Sequence, residues 1–273
     1  MFERWGRLFS RPPPGLMRLV RHHHGLEWHW ISAGPAVAGR VILYFHGGAF
    51  VAGSPATHAA MLGRLARLAG TEVCAPRYPL AQEAPFPAAP AAALAAWEGL
   101  RTLGYAPSDI VIAGDSAGGG LAAGLLAQLL GRGERPAGML LFSPWADLVL
   151  TGESLARNGP GDPILPVERI GEILALYLAG ADPADPRASP VLADYPDAPP
   201  ALIQAGAEEA LLSDAERLAA RLREGGGAVT LELWAGCPHV WQLTDGWLPE
   251  ARLALRRAAT FTGACFTPAR PGR

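Results

Sequence analysis

The apolar positions of the chain fall into short runs: "EWHWIS" (27–32), "VILYFHGG" (41–48), "TEVCAPRY" (71–78), "IVIAGD" (110–115), "MLLFSPW" (139–145), "ALIQAGA" (201–207) and "VTLELW" (229–234). Most are continuous and not alternating, the pattern of strands covered on both faces. Between them lie longer Ala/Leu/Arg stretches of helical character, "HAAMLGRLARLAG", "AAPAAALAAWEGLRTLG", "GGLAAGLLAQLLGRG" and "DAERLAARLREGG", and a last one from about Pro249 to Phe261. This alternation predicts right-handed crossovers building a mostly parallel sheet with helices on both faces, an α/β fold.

One stretch breaks the alternation. From Asp147 to Pro200 the chain is rich in Pro, Gly, Asp and Asn, with one apolar helical segment at "ERIGEILALYLAG". The expected organisation is therefore an N-terminal cap segment over 1–35, a catalytic domain formed by 36–146 and 201–273, and a cap insertion over 147–200. At 273 residues the chain is suited to one α/β domain with an inserted smaller element.

Composition narrows the chemistry. The formal charge is −2, without the basic surplus of a polyanion binder, so nucleic acid is not an expected partner. All 23 basic residues are arginine. The absence of lysine excludes Schiff-base chemistry, a P-loop, a kinase-type phosphate lysine and a Ser/Lys dyad, each of which needs that amine. Cys74, Cys237 and Cys265 are far apart and form no CxxC pair, which fits a reducing, cytoplasmic setting and indicates neither zinc nor a disulfide framework. The first residues, "MFERWGRLFSRPPPG", are interrupted by arginines and a triple proline, unlike a secretory signal. No run of apolar residues is long enough for a transmembrane segment. Oligomeric state is left open, and a homodimer is compatible with everything above.

The candidate chemistry centres on Gly114-Asp115-Ser116-Ala117-Gly118. Ser116 sits where a predicted strand ends and a helix begins, the place where open parallel sheets bind ligands. The pattern is G-x-S-x-G, the nucleophile elbow, in which the turn is so sharp that the flanking residues must be tiny. The helix that follows aims its free NH groups at the site, favouring an anion beside Ser116. A competing dinucleotide fingerprint, Gly118, Gly120 and Ala123, lies too late in the chain and lacks an acidic residue at the end of the next strand.

An acyl-transfer serine needs a base, an acid and oxyanion donors, each from the end of a different strand. "VILYFHGGAF" ends in a glycine-rich loop, so the NH groups of Gly47 and Gly48, with that of Ala117, are expected to form the oxyanion hole, each donor contributing roughly 2.7–4 kcal/mol to the transition state. His46 precedes the donors and reads as a loop-shaping hydrogen bonder. The base is expected last in the chain order, and His239, after the final strand, fits. His22, His23 and His24 have no local carboxylate or cysteine cluster and read as solvated or cap-forming. For the acid, the loop after "ALIQAGA" offers Glu208, Glu209 and Asp214; Asp214 sits in "SDAE", whose Ser213 and Glu216 have capping-box spacing. Neighbouring glutamates diverge, so one of Glu208 and Glu209 faces the histidine. Trp145 and Trp241 flank the expected site, as acyl-pocket walls or as core.

With these residues in hand, the chain resembles the hormone-sensitive-lipase family of α/β-hydrolases, in its bacterial carboxylesterase branch. "LYFHGGAFVAGSPATH", "PRYPLAQEAPFPAA", "IVIAGDSAGGGLA", "LLFSPWADL" and "PHVWQL" follow the family's blocks in order across about 40–245. The resemblance implies an α/β-hydrolase fold with a helical cap, an acyl-enzyme on Ser116, His239 as base and no cofactor. It also favours Glu209 as the acid, because the family's "DPL" motif aligns with Glu209-Ala210-Leu211. The third glycine of the family's loop is Ala49 here, and the usual "RLAPE" reads "PLAQE". The expected substrate is a small ester of short to medium acyl chain. Amidase or lactonase activity on the same residues, and a non-catalytic ligand-binding version of the fold, are the alternatives.

Overall fold

The computed structural model describes residues 11–266. Their strands form one eight-stranded sheet in the order β1-β2-β4-β3-β5-β6-β7-β8. The strands are β1 (Met17–His23), β2 (Leu26–Ser32), β3 (Val41–Phe45), β4 (Glu72–Arg77), β5 (Ile110–Asp115), β6 (Gly138–Phe142), β7 (Ala201–Gly206) and β8 (Val229–Trp234). From β4 through β8 every neighbouring pair is parallel, whereas β1 and β2 run antiparallel at one edge. Strands β3, β5, β6 and β7 are buried along their whole length, which is why their sequences are continuous apolar runs.

Helices α1 (Pro55–Ala69) and α7 (Pro249–Cys265) cover one face of the sheet, while α2 (Ala88–Thr102), α3 (Ser116–Leu130) and α6 (Leu212–Glu224) cover the other. The stripe on α6 shows how sequence makes the layer: Leu212, Ala215, Leu218, Ala219 and Leu222 recur at helical spacing and are buried. Helix α1 is fixed at both ends, by a reciprocal Ser54/Thr57 capping box and by Gly70 in the left-handed conformation at φ 59°. Among the described residues no helix is long and apolar enough to cross a membrane.

Residues 147–200 contribute no strand. They carry α4 (Glu153–Asn158) and α5 (Ile170–Leu178) and short 3-10 turns. The N-terminal segment differs from its expectation as a cap: residues 17–32 are the antiparallel hairpin β1–β2, hydrogen-bonded onto β4, and residues 1–10 lie outside the described range. The physical reason is the two-residue loop His24-Gly25, both at positive φ, which folds the chain back on itself and adds two strands to the sheet edge.

Candidate active site

The C-terminal ends of β3, β5, β6, β7 and β8 converge on Ser116. This serine opens α3 immediately after β5, at φ 51°, a left-handed conformation that is strained for a residue with a Cβ and is held by the packing around it. The packing explains the glycines. A Cβ on Gly114 would run into the carbonyl of Gly118, and one on Gly118 would meet the carbonyl oxygens of Phe45 and His46 at the end of β3. Gly120 is equally close to the carbonyl of Trp145.

Nε2 of His239 lies 2.9 Å from Ser116 Oγ across 123 residues of sequence. On the other side of the ring, Nδ1 lies 3.5 Å from Glu209 Oε2. All three groups are nearly shielded from solvent. Of the adjacent glutamates, Glu209 is therefore the one beside the imidazole. Glu208 points outward and accepts the NH of Gly236 at 2.9 Å. Asp214 is also elsewhere: Ser213 and Glu216 form no capping box, and the Asp214 carboxylate accepts the NH groups of Ala146 and Asp147, both at 2.8 Å. It thus ties α6 to the root of the 147–200 insertion.

The glycine loop after β3 faces the elbow as expected, with one correction among its donors. The NH of Gly47 points to Asp115 Oδ1 at 3.0 Å and is committed to that carboxylate, so it does not line an oxyanion site. Among the described residues no protein acceptor pairs with the NH groups of Gly48 or Ala49, and Ala49 borders the same cleft as Ser116. The available donors are Gly48, Ala49 and, at the open N-terminus of α3, Ala117.

Asp115, the residue before the serine in the motif's first variable place, joins the elbow to two other elements. Its buried carboxylate accepts from Tyr44 Oη at 2.8 Å and from Gly47, and pairs with His58 Nε2 at 3.2 Å. Burial opposes charge on both members of this pair, yet their mutual attraction prevails: the His58 pKa is raised and that of Asp115 lowered. His46 is shaped by the same surroundings. Burial, reinforced by the His58 charge, pushes its pKa down to about 3, so the ring is neutral; it stacks on Tyr78 at 4.4 Å with Nδ1 2.8 Å from the Gly47 carbonyl. It is a loop-shaping residue.

In front of Ser116 opens a narrow cleft of about 50 Å³ with almost wholly apolar walls. Trp145 and Leu211 line it from the sheet side, and Leu165, Ile170 and Ile173 from the insertion. Trp241, by contrast, is core, packed against Trp234, Ala251 and Ala254. His22 and His23 close β1 and His24 makes the hairpin turn, far along the sheet order from Ser116.

A hydroxyl against an imidazole, a carboxylate on the far ring nitrogen, unpaired loop NH groups bordering the same cleft and apolar walls can together perform acyl transfer. Known proteins point the same way. The alpha/beta hydrolase fold family matches residues 42–243. An acetyl-hydrolase of Streptomyces hygroscopicus is 40% identical over 251 residues, 91% of this chain and 82% of its own. A solved esterase from the bacterial hormone-sensitive lipase family superimposes with a TM-score of 0.93 at 40% identity, covering 97% of this chain and 90% of that one. EstE5, solved after soaking with p-nitrophenyl butyrate, superimposes at 0.91 with 34% identity, covering 97% and 90%. The chain belongs to the α/β-hydrolase fold family, within the bacterial hormone-sensitive-lipase group of carboxylic ester hydrolases.

Proposed function

We propose that this esterase cleaves small carboxylic esters of short to medium acyl chain through an acyl-enzyme on Ser116, with His239 as general base and Glu209 as the orienting acid. The observation that carries the assignment is the 2.9 Å approach of His239 Nε2 to Ser116 Oγ, at the floor of an apolar cleft. In the first step Oγ attacks the ester carbonyl and passes its proton to Nε2. The tetrahedral oxyanion is held by the NH groups of Gly48, Ala49 and Ala117, and the imidazolium returns the proton to the departing alkoxide. In the second step His239 takes a proton from water, which attacks the acyl-enzyme; collapse of the new tetrahedral species frees the acid and restores Ser116. Glu209 orients the ring and stabilises the imidazolium.

The acyl chain is assigned to the cleft beneath the 147–200 insertion, which acts as its cap. The apolar walls and narrow dimensions of the cleft favour chains of a few carbons. The soak of EstE5 with a butyrate ester supports the same class. Three unpaired cysteines, Cys74, Cys237 and Cys265, support a cytoplasmic setting.

The test is turnover of p-nitrophenyl butyrate by Ser116→Ala and His239→Ala. Each is expected to lose about six orders of magnitude in kcat. A near-normal rate in either purified variant overturns the assignment and favours a different nucleophile in the same cleft.

A further inference from the structure

Ser143 follows β6 and is fully buried, at φ 46°. Its hydroxyl donates to Glu209 Oε2 at 2.7 Å and accepts the NH of Val240 at 3.2 Å. Val240 is the residue after His239 and is itself left-handed, at φ 51°. The Ser143 backbone NH donates to the Gln204 carbonyl on β7 at 2.7 Å. One hydroxyl thus bridges the carboxylate side chain and the backbone of the histidine loop, and its main chain is bolted to the strand that delivers the carboxylate.

Two features argue that the hydroxyl is functional. Glu209 Oε1 has no hydrogen-bond partner, so the orientation of the carboxylate rests on Oε2, which faces both Ser143 and the imidazole. A glutamate has more freely rotating torsions than an aspartate and needs a second anchor to hold one geometry. Furthermore, glycine would take the φ of this position without strain, yet the chain carries a side chain there whose only polar atom is used on both sides.

We propose that Ser143 is a positioning residue for the reaction: it fixes the Glu209 carboxylate and the His239 loop relative to one another, so that the imidazole keeps its place against Ser116. The proposal rests on the assignment of Ser116, Glu209 and His239 given above. It predicts an effect that passes through Glu209.

The test is a double-mutant cycle on p-nitrophenyl butyrate, with Ser143→Ala and Ser143→Gly each measured in the wild-type and the Glu209→Ala backgrounds at high enzyme concentration. Glycine relieves the backbone strain, so this second variant deletes the hydroxyl while keeping the fold; thermal melts of both accompany the kinetics. In the wild-type background kcat is expected to fall about ten- to a hundredfold, the range for losing a hydrogen bond to a charged group, with KM changed less than about threefold. In the Glu209→Ala background the same substitutions are expected to cost less than about threefold, because the group they position is gone. Equal losses in both backgrounds, or no loss in the wild-type background, overturn the proposal. If Ser116→Ala in the same assay keeps its activity, the failure is that of the underlying assignment; if Ser116→Ala is inactive and the cycle shows no coupling, only the role of Ser143 fails.

Discussion

The backbone NH of Gly47 and the carboxylate of Asp115 are joined by a 3.0 Å hydrogen bond, and this bond ties the loop after β3 to the elbow after β5. Because Gly48 and Ala49 follow directly, their NH groups inherit the position of Gly47. Asp115→Asn removes the counter-charge of His58 and weakens the hold on the loop. Its expected cost is about 1.5–3 kcal/mol of stability by urea unfolding, the range for hydrogen bonds to a charged partner. Turnover should fall by the same factor on p-nitrophenyl acetate and butyrate, since the oxyanion is common to both. A loss that varies with acyl length would relocate the effect to the cleft.

Ring stacking couples the same loop to the 147–200 insertion. Phe50, next after Ala49, lies face to face with Tyr177 of α5, with centroids 3.9 Å apart and planes 6° from parallel, and Phe86 meets the edge of the pair. Tyr177→Phe keeps the rings and is expected to behave as wild type. Tyr177→Ala leaves a buried cavity and should cost about 3–5 kcal/mol, as for other large-to-small aromatic deletions. Comparison of their urea midpoints checks both statements.

The carboxylate that roots the insertion carries a pH signature. Burial is the main cause that pushes the Asp214 pKa up from 3.8 to about 7, against the two NH groups it accepts. The unfolded chain gives up this proton near the ordinary value, so between about pH 4 and pH 7 the folded state binds more protons than the unfolded one. The Asp214 contribution to stability therefore falls as pH rises through that window and is constant above it. Asp214→Asn does not titrate. Relative to wild type it should gain stability from pH 4.5 to pH 7.5, measured as the difference in urea midpoints; an unchanging difference would contradict the shift.

The central strands β3, β5, β6 and β7 are legible as apolar runs because they are buried along their whole length, and α6 by its apolar stripe. Of the edge hairpin, β2 shows as "EWHWIS" but β1 does not. "MRLVRHH" is mostly exposed on both sides and carries no apolar period, and its signal was the turn: His24-Gly25 between two short runs. The elbow motif and chain order single out Ser116 and His239, and the fold brings these two side chains to 2.9 Å. A glycine loop announces several NH groups without revealing which is already bonded to a side chain 68 residues away, as that of Gly47 is. The contacts of Asp115 and Ser143 carry no sequence signal for a related reason. Each sits at a strand end, and its partners lie on other segments of the chain that spacing does not expose.

Cleft shape leads to a specificity change. Ile173 on α5 lines the wall facing Ser116 and is only partly buried, so a larger side chain there intrudes on the acyl site without disturbing the core. Ile173→Trp should shift preference toward acetate. Each methylene of the acyl chain denied burial forfeits about 0.8 kcal/mol, so the kcat/KM ratio of hexanoate to acetate esters should fall by one to two orders of magnitude, roughly, for two or three excluded methylenes. A ratio that stays at the wild-type value would place the acyl chain elsewhere.

The two adjacent glutamates make the last comparison a clean one. Glu208 and Glu209 share charge, size and loop, yet only Glu209 is buried against His239 and held by Ser143, whereas Glu208 faces outward to the NH of Gly236. Removing the general field of a carboxylate would cost the same at either position; removing the group that orients the imidazole would not. Glu209→Ala is expected to lose about four orders of magnitude in kcat, as when the acid of a comparable triad is deleted. Glu208→Ala should stay within about threefold of wild type, since exposed positions away from the chemistry seldom matter. Glu209→Asp tests reach: it keeps the charge but draws the carboxylate back by one methylene from an imidazole already 3.5 Å away, and should fall between the two. If Glu208→Ala carried the large loss instead, the histidine loop in solution would have to differ from the arrangement described, with its imidazole turned toward the outer carboxylate.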